Sequence, residues 1–121
     1  MFSKLFIIFI LFCTLINANI IGPKNFENII KTHKLVLVKF WAPWCSACKM
    51  IKPEFEKAQI IAGKSVYFAT YNVDLRGNPI KKYNIETIPT MILFENGKEV
   101  DRNYILNAKD IIEWVMGYVP Q

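Results

Sequence analysis

Cys45 and Cys48 are the residues of this chain best suited to covalent chemistry. They stand three positions apart in Trp44–Cys45–Ser46–Ala47–Cys48, shortly after the apolar run Leu35–Trp41. A helix that starts at Cys45 places both thiols on one face, because residues three apart are neighbours across one turn. It also places Cys45 at the helix N-terminus, where unpaired backbone N–H groups carry positive potential. The thiolate, not the thiol, attacks disulfides, and thiols in such positions titrate at about 3.5–7.5. The pattern predicts Cys45 as the nucleophile and Cys48 as the resolving thiol. The cofactor is then the Cys45–Cys48 disulfide itself, with no other group required.

Other uses of the pair fit less well. A zinc site needs about two more ligands, and His33 is the one histidine. No metal is expected, and His33 reads as a solvent-facing residue at a helix end. A redox-silent pair in a non-enzymatic peptide-binding or scaffold subunit of a secretory or export complex is the alternative. The third cysteine, Cys13, lies in the uncharged stretch Leu5–Pro23 that follows Lys4. A short basic start, an apolar core and small Ala18 form the pattern of a secretory signal. A retained membrane anchor is the alternative, for which the apolar run is short against a span of about 20 residues. The expected organisation is a signal peptide over 1–18 and one domain over 19–121, with no membrane attachment after cleavage. Exported chains of this size commonly join distant segments with several disulfides. Two cysteines three apart join almost nothing, so they are better read as reactive than as structural.

The chain has 121 residues, enough for one domain, and a net charge of +5. Its lysines are scattered and form no nucleic-acid-binding stripe. The elements that must position the cysteines follow from periodicity. Pro23–His33 reads as a short helix and Leu35–Trp41 as a strand covered on both faces. Cys45–Ile61 reads as a helix with Met50, Ile51, Phe55, Ala58 and Ile61 along its apolar stripe, a kink at Pro53 and a stop at Gly63. Val66–Val73 reads as a strand and Gly77–Tyr83 as a short helix. Thr90–Glu95 and Lys98–Tyr104 flank the hairpin signal Asn96–Gly97. Lys109–Tyr118 closes as a helix with Ile112, Val115 and Met116 inward, and Ile20–Ile21 suits a short first strand. The order predicts an α/β fold: a mixed sheet of four to five strands flanked by helices on both faces, with an antiparallel hairpin at its edge.

The sequence resembles the thioredoxin family. The matching residues are Phe40–Cys45 with Cys48–Lys49, Pro53, Asn72–Val73–Asp74, Ile88–Pro89–Thr90, and Phe94 with Asn96–Gly97. They cover nearly all of residues 23–118. The resemblance implies the thioredoxin fold and a thiol–disulfide oxidoreductase. Its partners would be disulfide-containing protein substrates and an upstream reductase or oxidase that recharges the pair, and it would act as a monomer. It further implies a cis-proline at Pro89 facing the sulfurs, with Ile88 and Thr90 offering backbone hydrogen bonds to substrate. Trp44 would be the exposed aromatic beside the nucleophile and Trp41 its packing support.

Three departures concern redox tuning. Ser46–Ala47 stands where typical thioredoxins have Gly–Pro and protein disulfide isomerases have Gly–His. The family's buried acid beneath the resolving cysteine falls on Lys39, and the lysine commonly paired with it falls on Thr70. An ammonium in mid-strand is costly to bury. It also favours nearby thiolates, which stabilises the reduced form. The expectation is a more oxidising pair with a slower resolving step. The location would be outside the cytosol, in a secretory lumen, the extracellular space or a bacterial periplasm.

Overall fold

The structure, a computed structural model, describes residues 17–121. Cys13 and nearly all of the expected signal lie outside the described residues. Among the described residues there are five strands: β1 (Asn19–Ile21), β2 (Leu35–Trp41), β3 (Tyr67–Asn72), β4 (Thr90–Glu95) and β5 (Lys98–Asn103). Four helices accompany them: α1 (Phe26–Thr32), α2 (Ser46–Ala62), α3 (Asn78–Lys82) and α4 (Ala108–Met116), with a 3-10 turn at Val73–Leu75. The sheet order is β1-β3-β2-β4-β5. Strands β1 and β2 run parallel to β3, whereas β4 is antiparallel to both β2 and β5.

β2 is central, and its alternating side chains feed two cores. Leu35 and Leu37 face Phe55, Ala58 and Ala62 of α2 and Ile111 and Val115 of α4. Val36, Val38 and Phe40 face Phe26 and Ile30 of α1. Both faces are covered, which is why the run reads as continuously apolar. The exception is Lys39, which occupies the next α2-facing position after Leu37.

The hairpin forms at Asn96 (φ 52°) and Gly97 (φ 81°), as their dipeptide suggests. Its first strand does more than form an edge. After β3 the chain stays at one end of the sheet through Val73–Pro89, so β4 enters there and runs antiparallel to β2, pairing Thr90 with Phe40.

Two helix faces differ from expectation. Cys48, Ile51, Phe55, Ala58 and Ala62 are the buried residues of α2. Their strict three–four spacing leaves Met50 (69% exposed) and Ile61 (67% exposed) off the stripe. In α4 the buried residues are Ile111 and Val115, flanked by half-buried Ile112 and Met116. The helix begins a residue earlier than the apolar pattern suggested, because the Asn107 side chain accepts the Asp110 N–H (2.8 Å) and caps it. α2 continues through Pro53 and stops at Gly63, whose backbone is right-handed (φ −66°) rather than left-handed.

Phe26 anchors the α1 side, with ring centroids of Phe40, Tyr71, Tyr83 and Phe94 at 5.5–6.0 Å. Phe26→Ala should lower the unfolding free energy by about 3–5 kcal/mol, the usual cost of emptying a closed aromatic site. Urea denaturation followed by circular dichroism measures it; a loss below about 1 kcal/mol would contradict this packing.

Candidate functional site: a disulfide at a strand-to-helix handover

β2 ends at Trp41, and α2 begins at Ser46. Between them the chain turns so that Cys45, in extended conformation (φ −91°, ψ 112°), caps the helix. Its Sγ accepts the backbone N–H of Cys48 at 3.1 Å. That N–H is one of the donors a helix N-terminus leaves unpaired, and here it points at sulfur. Cys45 and Cys48 are joined as a disulfide with Cα atoms 5.2 Å apart. Both are buried, packed with Ala42 and against half-buried Trp41, Ala47, Val73 and Ile88. Ser46 is exposed.

The loop before β4 closes the other side. Ile88–Pro89 is a cis peptide, and the Ile88 carbonyl oxygen lies 3.8 Å from Cys45 Sγ. Pro89 and Thr90 are buried and Ile88 is half-buried. The Thr90 hydroxyl donates to the Thr87 carbonyl (2.6 Å), pinning the loop to the start of β4. Trp44 is 67% exposed beside Cys45, and its Nε1–H donates to Asp74 Oδ1 at 3.0 Å. Asp74 is held in turn through its backbone N–H, which the Asn72 side chain accepts at 2.9 Å. The contact crosses 30 positions of sequence, and no local pattern announces it.

Lys39 is 4% exposed. None of the ion pairs among the described residues includes it. Its Nζ lies over the Phe55 ring, 4.8 Å from the centroid. It lines a cleft of about 360 Å³ with Trp41, Cys48, Lys52, Phe55 and Glu56, among others. Burial pulls its ammonium down to about 8, with Glu56 opposing and Lys52 reinforcing the fall. Glu56 was not among the residues singled out from the sequence. It sits on α2 one turn beyond Lys52, where a mixed charge pattern reads as an ordinary solvated face. His33 is half-buried rather than solvent-facing. It closes α1, with its ring 4.0 Å from that of Tyr67 and Nδ1 3.1 Å from the Ile29 carbonyl oxygen.

A disulfide with one sulfur at a helix mouth, the other behind it and an extended loop alongside is built for thiol–disulfide exchange. The thioredoxin family model matches residues 17–116. The thioredoxin of Chlamydia caviae is 41% identical over 93 residues, covering 77% of this chain and 89% of that protein. Protein disulfide-isomerase A5 of Mus musculus is 35% identical over 113 residues, covering 85% of this chain and 21% of the longer protein. The solution structure of oxidised thioredoxin from Plasmodium falciparum superposes with a TM-score of 0.76 at 30% identity, covering 86% of this chain and all of that one. The chain belongs to the thioredoxin family and is a protein-disulfide oxidoreductase.

Burying Lys39 has a thermodynamic signature. The unfolded chain holds the Lys39 proton up to about 10.5 and the folded chain only to about 8. Between those values the unfolded state binds more protons, so stability rises with pH; below about 8 the full penalty applies. The difference corresponds to about 3 kcal/mol. Lys39→Met should therefore raise the unfolding free energy at pH 7 by roughly 1–3 kcal/mol and flatten its rise between pH 8 and 10. Denaturation series of both proteins across that range decide it, and parallel curves would show that Lys39 carries no such penalty.

Proposed function

We propose that the chain exchanges disulfides of other exported proteins, after residues 1–18 have directed it out of the cytosol. The observation that carries the chemistry is the Cys48 N–H aimed at Cys45 Sγ beside the Ile88 carbonyl. In the reduced protein this donor stabilises a thiolate on Cys45. The thiolate attacks one sulfur of a substrate disulfide and releases the other as a thiolate. Cys48 then attacks Cys45 Sγ, releases the second substrate thiolate and regenerates the Cys45–Cys48 bond. Two electrons pass from the dithiol to the substrate, and the reverse sequence oxidises a substrate dithiol. An upstream reductase or oxidase restores the starting form, and its identity sets the direction.

Ile88 and Thr90 would offer backbone groups to an extended substrate across Pro89, and Trp44 would cover it from the other side. The Trp44–Asp74 hydrogen bond supports that role by fixing an exposed ring next to the nucleophile. We read the protein as a monomer. A cut after Ala18 removes Asn17 and Ala18, which line the cleft by Lys39, together with the Gln59 hydrogen bond to Asn17.

A cation near the dithiol favours thiolates, and Ser46–Ala47 replaces the intervening residues of typical thioredoxins. The pair should accordingly be more oxidising than the thioredoxin value of about −270 mV. Equilibration with glutathione should show this, and Lys39→Asp should move the potential in the reducing direction; an unchanged potential would remove Lys39 from that role. Insulin-disulfide reduction should disappear in Cys45→Ser. Cys48→Ala, expressed in the native host, should accumulate mixed disulfides with exported proteins, and the isolated protein should begin at Asn19. Capture of cytosolic proteins alone would refute the exported assignment, and an intact N-terminus would refute cleavage after Ala18.

A further inference from the structure

Resolution of the mixed disulfide requires Cys48 to lose its proton, yet Cys48 is only 2% exposed. We propose that Lys39 accepts that proton through the cleft whose wall it shares with Cys48. The proposal rests on the dithiol reading above and adds the proton path that the reading lacks.

Three observations converge on Lys39. It is almost wholly buried and outside every ion pair among the described residues. It opens onto the same cleft as Cys48, and a cleft of about 360 Å³ has room for water, which needs only about 10–15 Å³ per molecule. Its Nζ rests over the Phe55 ring, a weak partner that leaves the amine's hydrogen-bonding positions free. The charged groups facing the cleft all come from α2: Lys49, Lys52 and Glu56. The lining residues from β1, β3 and the segment before β1 are uncharged, and on β4 Met91 stands opposite Lys39. Burial also brings the ammonium to about 8, against about 8.5 for an ordinary thiol. Neutral amine is therefore available from just above neutrality.

In the step itself, Cys45 Sγ is bonded to a substrate sulfur. The proton of Cys48 passes to neutral Lys39 by way of water in the cleft. The Cys48 thiolate bonds to Cys45 Sγ as the Cys45–substrate bond breaks, and that electron pair leaves on the substrate sulfur. Lys39 then returns its proton to solvent along the cleft. Near neutrality most of the amine is already protonated, so the step is slow there and quickens as the pH approaches 8 to 9.

The test uses the reduced chain beginning at Asn19, whose cysteines are Cys45 and Cys48 alone, and excess 5,5′-dithiobis(2-nitrobenzoate). The chromophore is released first by Cys45 attack and again by Cys48 resolution. In Lys39→Met the first phase should persist. The second should slow by about 100-fold near pH 9, where the amine is neutral, the low end for a positioned acid–base group; the loss should be smaller at neutral pH, and the inflection should move to higher pH. Added ethylamine should partly restore it. In Glu56→Gln, which removes the carboxylate that raises the Lys39 proton affinity, the inflection should move to lower pH. A second phase unchanged in Lys39→Met, or slowed by one factor at every pH, overturns the proposal. So does an unmoved inflection in Glu56→Gln. Loss of the first phase in the wild type would instead refute the dithiol reading.

Discussion

The Cys48 N–H held 3.1 Å from Cys45 Sγ is the contact on which the rest depends. It exists only if the helix begins within four residues of the strand's end, with the strand fixed in depth and the helix fixed in rotation. Leu35 and Leu37 set the first, and Phe55, Ala58 and Ala62 set the second, because all five lie in one core. Rotating α2 by one residue, about 100°, would turn Cys48 away and bring exposed Met50 toward the interior. The apolar stripe therefore does two jobs at once: it packs the helix and aims a backbone dipole at a sulfur.

The direction of β4 completes the site. Had the chain crossed the sheet after β3, Ile88–Pro89 would lie at the far end from the cysteines. Instead Val73–Pro89 stays at the end where β2 and β3 finish, and Thr90 pairs with Phe40. Three segments distant in sequence thus meet at one edge: the Cys45 cap, the Asp74 turn that holds Trp44, and the Ile88–Thr90 loop. Apolar packing alone would not place the last of these. The Thr90 hydroxyl bond to Thr87 and the ladder to β2 fix it.

Much of this was legible beforehand, for physical reasons that differ by residue. The β2 run and the Asn96–Gly97 turn are local signals, readable from period and dihedral demand alone. The cysteine spacing declares a single helical turn. What could not be read was non-local or marginal. Met50 and Ile61 are apolar and near the stripe, and only the rotation of α2 against the sheet shows that they face outward. Asn107 gives no clear cap signal in the sequence, because the apolar pattern starts later. The Trp44–Asp74 bond and the nearness of Glu56 to Lys39 depend on folded geometry. Lys39 was visible as an anomaly, a charge within an apolar strand, but its surroundings were not.

Those surroundings explain why an ammonium is tolerated in the core. Continuing the Leu35–Leu37 row with a third aliphatic residue would fill the space against Phe55 and favour the fold. Lysine gives up that gain, and burial weakens its hold on a proton without removing the charge at neutral pH. The stem packs with apolar neighbours while Nζ remains open to the cleft. A group whose proton affinity has been drawn close to that of a thiol suits proton exchange with one, whereas an ordinary surface lysine does not. Stability and reactivity thus pull in opposite directions at this one position. The interior of the sheet carries the cost, and the cleft that Cys48 also lines gains a titratable amine.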